Sequence, residues 1–140
     1  MGEPLVVESR VRVRYAETDA EGVVYYANHF VYMEVGRVNY FRSLGFDPAA
    51  LDRSGRGIVI LEARCRYHSP ARFDDPLLIR AWVDQVRRSS FEFGYEIWHE
   101  AEERLVAEAR TVQVIVDLAS MRPIRIPQEM REAMTAAQGP

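Results

Sequence analysis

The stretch Tyr15–Phe30, YAETDAEGVVYYANHF, sets one aspartate, Asp19, between an alternating strand pattern and an apolar helical pattern. Two readings of Asp19 are open. An Asp ahead of a glycine-containing loop often accepts hydrogen bonds from nearby backbone amides and does nothing else. A carboxylate beside a helix start can also be a reagent, attacking a carbonyl or taking a proton from water, because unpaired helix N-terminal amides supply donors for a developing oxyanion. Gly22 fits either reading, as a positive-φ turn residue or as a point where backbone approaches a ligand closely. Glu34, about six residues into the helical pattern, is a rival carboxylate whose structural reading is an ion pair with Arg37. His29, His68 and His99 lack the spacing and companions of metal ligands, so no metal is expected, and His29 reads as a structural hydrogen-bonding residue near the helix start. No serine stands in a GxSxG elbow.

Composition narrows the chemistry further. All 18 basic residues are arginine, and without lysine there is no amine for Schiff-base or pyridoxal-phosphate chemistry and no lysine-bearing phosphate loop. A net charge of −3, with no basic block longer than Arg87-Arg88, argues against a nucleic-acid partner. Cys65 cannot form an intrachain disulfide and lies within a strand pattern, which reads as a buried structural thiol. No apolar run approaches the roughly 18 residues of a membrane span. The N-terminal segment lacks the features of a signal peptide, and Val6 stands where a myristoylation signal wants Ser or Thr, so a cytoplasmic protein is expected.

The elements that must position Asp19 follow from periodicity. Ser9 to Tyr15 alternates, with Arg10, Arg12 and Arg14 on a solvated strand face. Asn28 to Leu44 reads as a helix whose apolar residues, among them Val31, Met33, Val35, Val38 and Phe41, spread around most of its surface, which predicts burial on several sides. Gly45 suits the residue after its end, and capping propensity alone puts the N-cap at Asn28. Four strand patterns follow, near Gly57–His68, Leu77–Arg87, Ser90–His99 and Leu105–Leu118, and the tail from Pro127 to Gln138 reads as a short helix. With 140 residues and 48% apolar content, one α+β domain over residues 1–140 is expected, an antiparallel sheet covered by one long helix.

Three stretches in this layout carry a family resemblance: Asp19, Gly22, Tyr26 and Asn28 in the first loop, YHSPARFDDPL from Tyr67 to Leu77, and RRSSFEF from Arg87 to Phe93. In this order they resemble the hotdog-fold acyl-CoA thioesterases of the 4-hydroxybenzoyl-CoA thioesterase and YbgC-like group. The resemblance implies a sheet wrapped around a central helix. It also implies a homodimer or homotetramer joined edge to edge through the strand near Gly57–His68, with active sites between subunits. It makes Asp19 the nucleophile or general base, Tyr26 the backbone donor to the thioester oxygen, and Gly22 a neighbour of the ligand. Arg87, Arg88 and Ser89 would hold the nucleotide end of coenzyme A, which is part of the substrate, and no separate cofactor is implied. Arg72 is set aside because Asp74 and Asp75 stand close enough in sequence to neutralise it. Two other functions share the fold. One is a hydratase or dehydratase, which calls for a histidine paired with an acid, and the other is a module that binds acyl-CoA without cleaving it.

Overall fold

Segments that alternate apolar and polar residues bury one face, and here five of them pair into a single antiparallel sheet. The structure, a computed structural model, describes residues 3–139; Met1, Gly2 and Pro140, the ends of the expected 1–140 domain, lie outside them. The strands are β1 (Val7–Arg12), β2 (Arg56–Tyr67), β3 (Pro76–Val86), β4 (Ser90–His99) and β5 (Arg104–Asp117), in the spatial order β1-β3-β4-β5-β2. On β4 the expected alternation holds, with Phe91, Phe93, Tyr95 and Ile97 all buried beneath the long helix α1 (Asn28–Ser43). The expected α+β arrangement is therefore present. A helix α2 (Pro48–Arg53) was not anticipated, because six residues are too few to show a period; its only sequence signal is Asp47-Pro48, and Asp47 does cap it by accepting from the Ala49 amide at 3.0 Å. The tail forms α3 (Gln128–Ala137), which buries Met130 and Met134. No described helix is long and apolar enough to cross a membrane.

Two expectations about these elements need correction. β1 ends at Arg12, not Tyr15, because the chain turns into a short 3-10 helix over Tyr15–Glu17; Arg10, Arg12 and Arg14 are exposed and paired with Glu100, Asp74 and Glu17 at 2.9, 3.6 and 2.8 Å. The helix α1 is buried on one side only. Its buried residues, His29, Tyr32, Met33, Gly36, Tyr40 and Phe41, recur at three- and four-residue spacing and form a single stripe. Val31 is 47% exposed, Glu34 is exposed, and Val35 and Val38 are half-buried, since the sheet of this chain covers only the opposite face. Within one chain Val31 thus stays exposed and Val35 and Val38 are only partly covered, short of the expected burial on several sides.

Gly36 sets how closely helix and sheet approach. A Cβ there would lie 2.9 Å from Cγ2 of Ile79 and 3.3 Å from Cβ of Ala81, so the α1 backbone rides directly on β3. Beyond this contact the rings of Tyr40 and Phe93 meet edge to face at 5.0 Å, and Phe41 meets Phe91 the same way at 5.8 Å. Gly36→Ala gains about 1 kcal/mol of helix propensity but forces the branched, buried Ile79 side chain or the helix itself to move, an overpacking cost of about 1–3 kcal/mol. Urea unfolding is expected to show a net loss of stability, and an unchanged or higher midpoint would mean that α1 lifts from β3 without strain.

Candidate active site

The path from β1 to α1 is held by one acidic residue that the sequence reading passed over. Glu17 is 8% exposed, and its carboxylate accepts from the Arg14 amide and guanidinium, each at 2.9 Å, and from the Tyr32 hydroxyl on α1 at 2.8 Å. Burial alone would raise the Glu17 pKa, but these donors and the Arg14 charge outweigh it and hold the carboxyl below its ordinary value. Burial and the neighbouring Glu17 push the Tyr32 hydroxyl the other way, upward, so it stays a donor. The backbone carbonyl of Glu17 accepts from the Tyr25 amide and from the Asn28 side-chain amide, both at 2.9 Å. One residue therefore joins the strand exit, the loop and the helix start.

Between these anchors, the Asp19 loop closes on itself. The Asp19 amide donates to the Val23 carbonyl at 2.9 Å, the Gly22 amide donates to the Asp19 carbonyl at 3.0 Å, and Gly22 takes φ +81°, the left-handed region that glycine enters without strain. Asp19 is half-buried, and its Oδ1 accepts from the Glu21 amide at 2.8 Å, so the turn role is real. Its Oδ2 takes no donor among the described residues. Turn and reagent are compatible, because each role uses a different oxygen.

The helix begins at Asn28, preceded by Ala27 as a cap with helical φ and ψ of −70° and −23° and no side-chain hydrogen bond. Asn28 is thus not the N-cap that propensity suggested, because its side chain is drawn sideways to the Glu17 carbonyl. The Tyr25 carbonyl accepts from the Asn28 amide at 2.8 Å. The Tyr26 carbonyl instead accepts from two side chains, Nδ1 of His29 at 3.0 Å and the Tyr67 hydroxyl at 2.9 Å. Among the described residues the amides of Tyr26 and Ala27 have no acceptor, so two free donors stand at the positive end of α1. Asp19, Gly22 and Tyr26 are gathered in one strand-to-helix turn.

The remaining candidates are placed differently. Glu34 is exposed and does not pair with Arg37, whose guanidinium turns inward to donate to the Tyr95 hydroxyl at 2.9 Å. Arg72 is not neutralised as expected. Asp74 pairs with Arg12, and Asp75 accepts the Arg72 backbone amide at 2.8 Å while facing His99 and Arg104, leaving the Arg72 guanidinium 4.0 Å from where a Gly22 Cβ would lie. Cys65 is half-buried rather than buried, because β2 is an edge strand. Arg87, Arg88 and Ser89 form the β3–β4 connection at the far end of the sheet. Arg12 pairs with Pro76, so the chain leaves for the Asp19 loop at one end of β3 while Arg87 follows its other end, roughly 33 Å away at about 3.3 Å per residue. The structure therefore does not bring the arginine pair to Asp19 within one chain. A groove of about 830 Å³ opens at that same far end, with an apolar wall of Phe41, Phe46, Leu51, Ile58 and Met130 and a charged rim that includes Asp47, Arg56 and Glu129.

Glu17→Gln is expected to lower stability at neutral pH by about 1.5–3 kcal/mol, the range for hydrogen bonds to a charged group. Because the folded-state pKa of Glu17 is lowered, its contribution is complete above the ordinary carboxylate range and is lost as pH falls through the lowered value. The gap between wild type and variant in urea unfolding should narrow in acid. A gap that stays constant with pH would show that the carboxylate charge plays no part.

The sequence and the fold of this chain match known proteins. A family model described as the thioesterase-like superfamily matches residues 13–134. The acyl-CoA thioester hydrolase YbgC of Escherichia coli is 35% identical over 120 residues, covering 86% of this chain and 89% of that protein. The acyl-CoA thioesterase YbgC of Haemophilus influenzae is 32% identical over 125 residues, covering 88% and 90%. The solved structure of a DHNA-CoA thioesterase from Staphylococcus aureus superposes with a TM-score of 0.91 at 26% identity, over 95% of this chain and 91% of that one. With a sheet and central helix superposing on such a protein and a family match over most of its length, the chain belongs to the thioesterase-like superfamily and has the hotdog fold.

Proposed function

We propose that this thioesterase hydrolyses acyl-CoA thioesters to the free acid and CoA, with Asp19 as nucleophile or general base. The observation that carries this reading is the pairing, in one turn, of a carboxylate with a free oxygen and two amides with no acceptor. As nucleophile, Asp19 adds to the thioester carbonyl, the C–S bond breaks, CoA leaves as its thiol after gaining a proton, and water then cleaves the acyl–aspartyl anhydride. As base, Asp19 takes the proton from water as the water adds to the carbonyl. Both routes place negative charge on the carbonyl oxygen, which the amides of Tyr26 and Ala27 are suited to meet. Glu34 lacks this setting, since it stands on an exposed helix face away from the free amides. A hydratase reading has less support, because the histidines that do face an acid, His68 with Glu108 and His99 with Asp75 and Glu102, are paired with carboxylates other than Asp19. CoA enters as part of the substrate, and the chemistry calls for no further cofactor.

The reading includes a homodimer, formed by two β2 edges pairing antiparallel. β2 offers twelve residues of edge with Ile60 and Leu61 exposed at 47% and 64%, and α1 leaves Val31, Val35 and Val38 without cover. Antiparallel pairing sets the Arg56 end of one subunit beside the Tyr67 end of its partner. The groove and the Arg87–Ser89 connection of one subunit then serve Asp19 of the other, the groove taking the acyl chain and the arginines the nucleotide phosphates.

Release of free thiol from acetyl-, octanoyl-, palmitoyl- and benzoyl-CoA tests the activity directly. Asp19→Asn is expected to lower kcat at least about a hundredfold with folding intact; near-wild-type turnover would remove Asp19 from the mechanism and promote Glu34. Replacing both Arg87 and Arg88 with Ala should raise KM for acyl-CoA more than it lowers kcat, and should leave truncated thioesters without the nucleotide unaffected. Co-expressing the Asp19→Asn chain with the double arginine variant tests the shared site. A mixed dimer contains one site with both parts intact, so about a quarter of all sites should turn over acyl-CoA with the wild-type KM, read at substrate well below the KM of the arginine variant, whereas sites confined to one chain would give none with that KM.

A further inference from the structure

We infer that Tyr67 and His29 form a positioning device that holds the Tyr26 carbonyl and so aims the Ala27 amide, one of the two facing the thioester oxygen. The inference rests on the amide-donor role given above and assigns to two side chains the task of making that role possible.

Tyr26 stands one residue before the Ala27 cap, so no intrahelical amide satisfies its carbonyl. The Phe30 amide donates to the Ala27 carbonyl at 3.1 Å, and the Tyr26 carbonyl is held by His29 and Tyr67. Tyr67 reaches it from β2, 41 residues away, and its ring packs edge-on against the His29 ring at 4.8 Å, so each donor steadies the other. A peptide group is planar and trans, so fixing the Tyr26 carbonyl fixes the Ala27 N–H in the opposite direction. The preceding peptide is fixed in the same way, with the Tyr25 carbonyl on the Asn28 amide and the Tyr26 N–H directed away from the helix. Remove the two side-chain donors and the Tyr26–Ala27 peptide loses the bonds that fix its orientation, letting the Ala27 donor leave its line.

Protonation favours the arrangement. Burial pushes the Tyr67 hydroxyl up to about 12, so it remains a donor throughout the neutral range. Burial lowers the His29 pKa, which keeps the ring neutral, and because a carbonyl only accepts, Nδ1 must carry the proton. His29 is 4% exposed, so its volume matters to packing, whereas Tyr67 is 44% exposed and its hydroxyl can be removed at little structural cost.

Kinetics and the bound carbonyl's vibration test this. Misaiming a donor should cost less than the hundredfold or more of deleting one, so Tyr67→Phe is expected to lower kcat about tenfold with KM within about twofold. His29→Asn places an amide donor near the old Nδ1 and should retain near-wild-type kcat, while His29→Leu fills the space without a donor and should fall about tenfold. The substrate of the four-member panel that is turned over fastest, labelled with 13C at the carbonyl, is then bound to Asp19→Asn and examined by infrared difference spectroscopy. Its C=O stretch should lie below that of the free thioester, and adding Tyr67→Phe should move it back toward the free value. Unchanged kcat in Tyr67→Phe, a loss confined to KM, or an unmoved stretch would overturn the positioning role. If the stretch in Asp19→Asn alone already equals the free value, the amide-donor reading itself fails, a result distinct from failure of Tyr67 and His29 to position the donors.

Discussion

A buried carboxylate must find donors or it destabilises the fold, and at Glu17 that requirement organises the whole site. Arg14 and Tyr32 supply the donors, one from the end of the first strand and one from the second turn of α1, so satisfying Glu17 sets the angle at which strand and helix meet. Its backbone carbonyl then captures Tyr25 and Asn28, which fixes the last residues before the helix. The loop carrying Asp19 is clamped at both ends by a single residue. Asp19 needs only two short backbone hydrogen bonds and one left-handed glycine to complete its own geometry.

The acidic residues of this region are sorted by environment rather than by type. Among the described residues, Glu17 is buried with its carboxylate fully engaged; Asp75 binds the connection that backs the loop; Glu34 is exposed and unpaired; Asp19 is half-buried, with one oxygen bonded and one free. Of these, only Asp19 combines a fixed position with an available lone pair next to unpaired amides. The role proposed for Asp19 rests on the hydrogen-bonding capacity left over after the fold has taken what it needs.

The same accounting applies at larger scale. The sheet covers one face of α1 and leaves an apolar strip, while β2 keeps an unpaired edge. The arginines suited to phosphates lie at the end of the sheet opposite Asp19. The proposed second copy of the chain, placed antiparallel across β2, would cover that apolar strip and that open edge together.

Much of this architecture is legible in local pattern. Alternation at Phe91, Phe93, Tyr95 and Ile97 marks a strand with one face on a core, and the run from Asn28 marks the helix, because side-chain direction repeats with backbone geometry alone. Asp19, Gly22, Tyr26 and Asn28, taken with YHSPARFDDPL and RRSSFEF in that order along the layout of elements, suggest the family. What pairs with what was beyond reach. Arg37 reads as a partner for Glu34 three residues away, yet it bonds Tyr95 across 58 residues, because a buried hydroxyl beneath the helix competes better than an exposed carboxylate. Asp74 and Asp75 read as neutralising Arg72, yet strand pairing sets Arg12, His99 and Arg104 beside them first. Glu17 looks like any surface acid until Tyr32 is folded over it, and Tyr67 and His29 meet only when β2 lies beside the helix start. Periodicity reports which way a side chain points from its own element; which donor reaches which acceptor depends on how elements distant in the chain come together, and that is decided by packing.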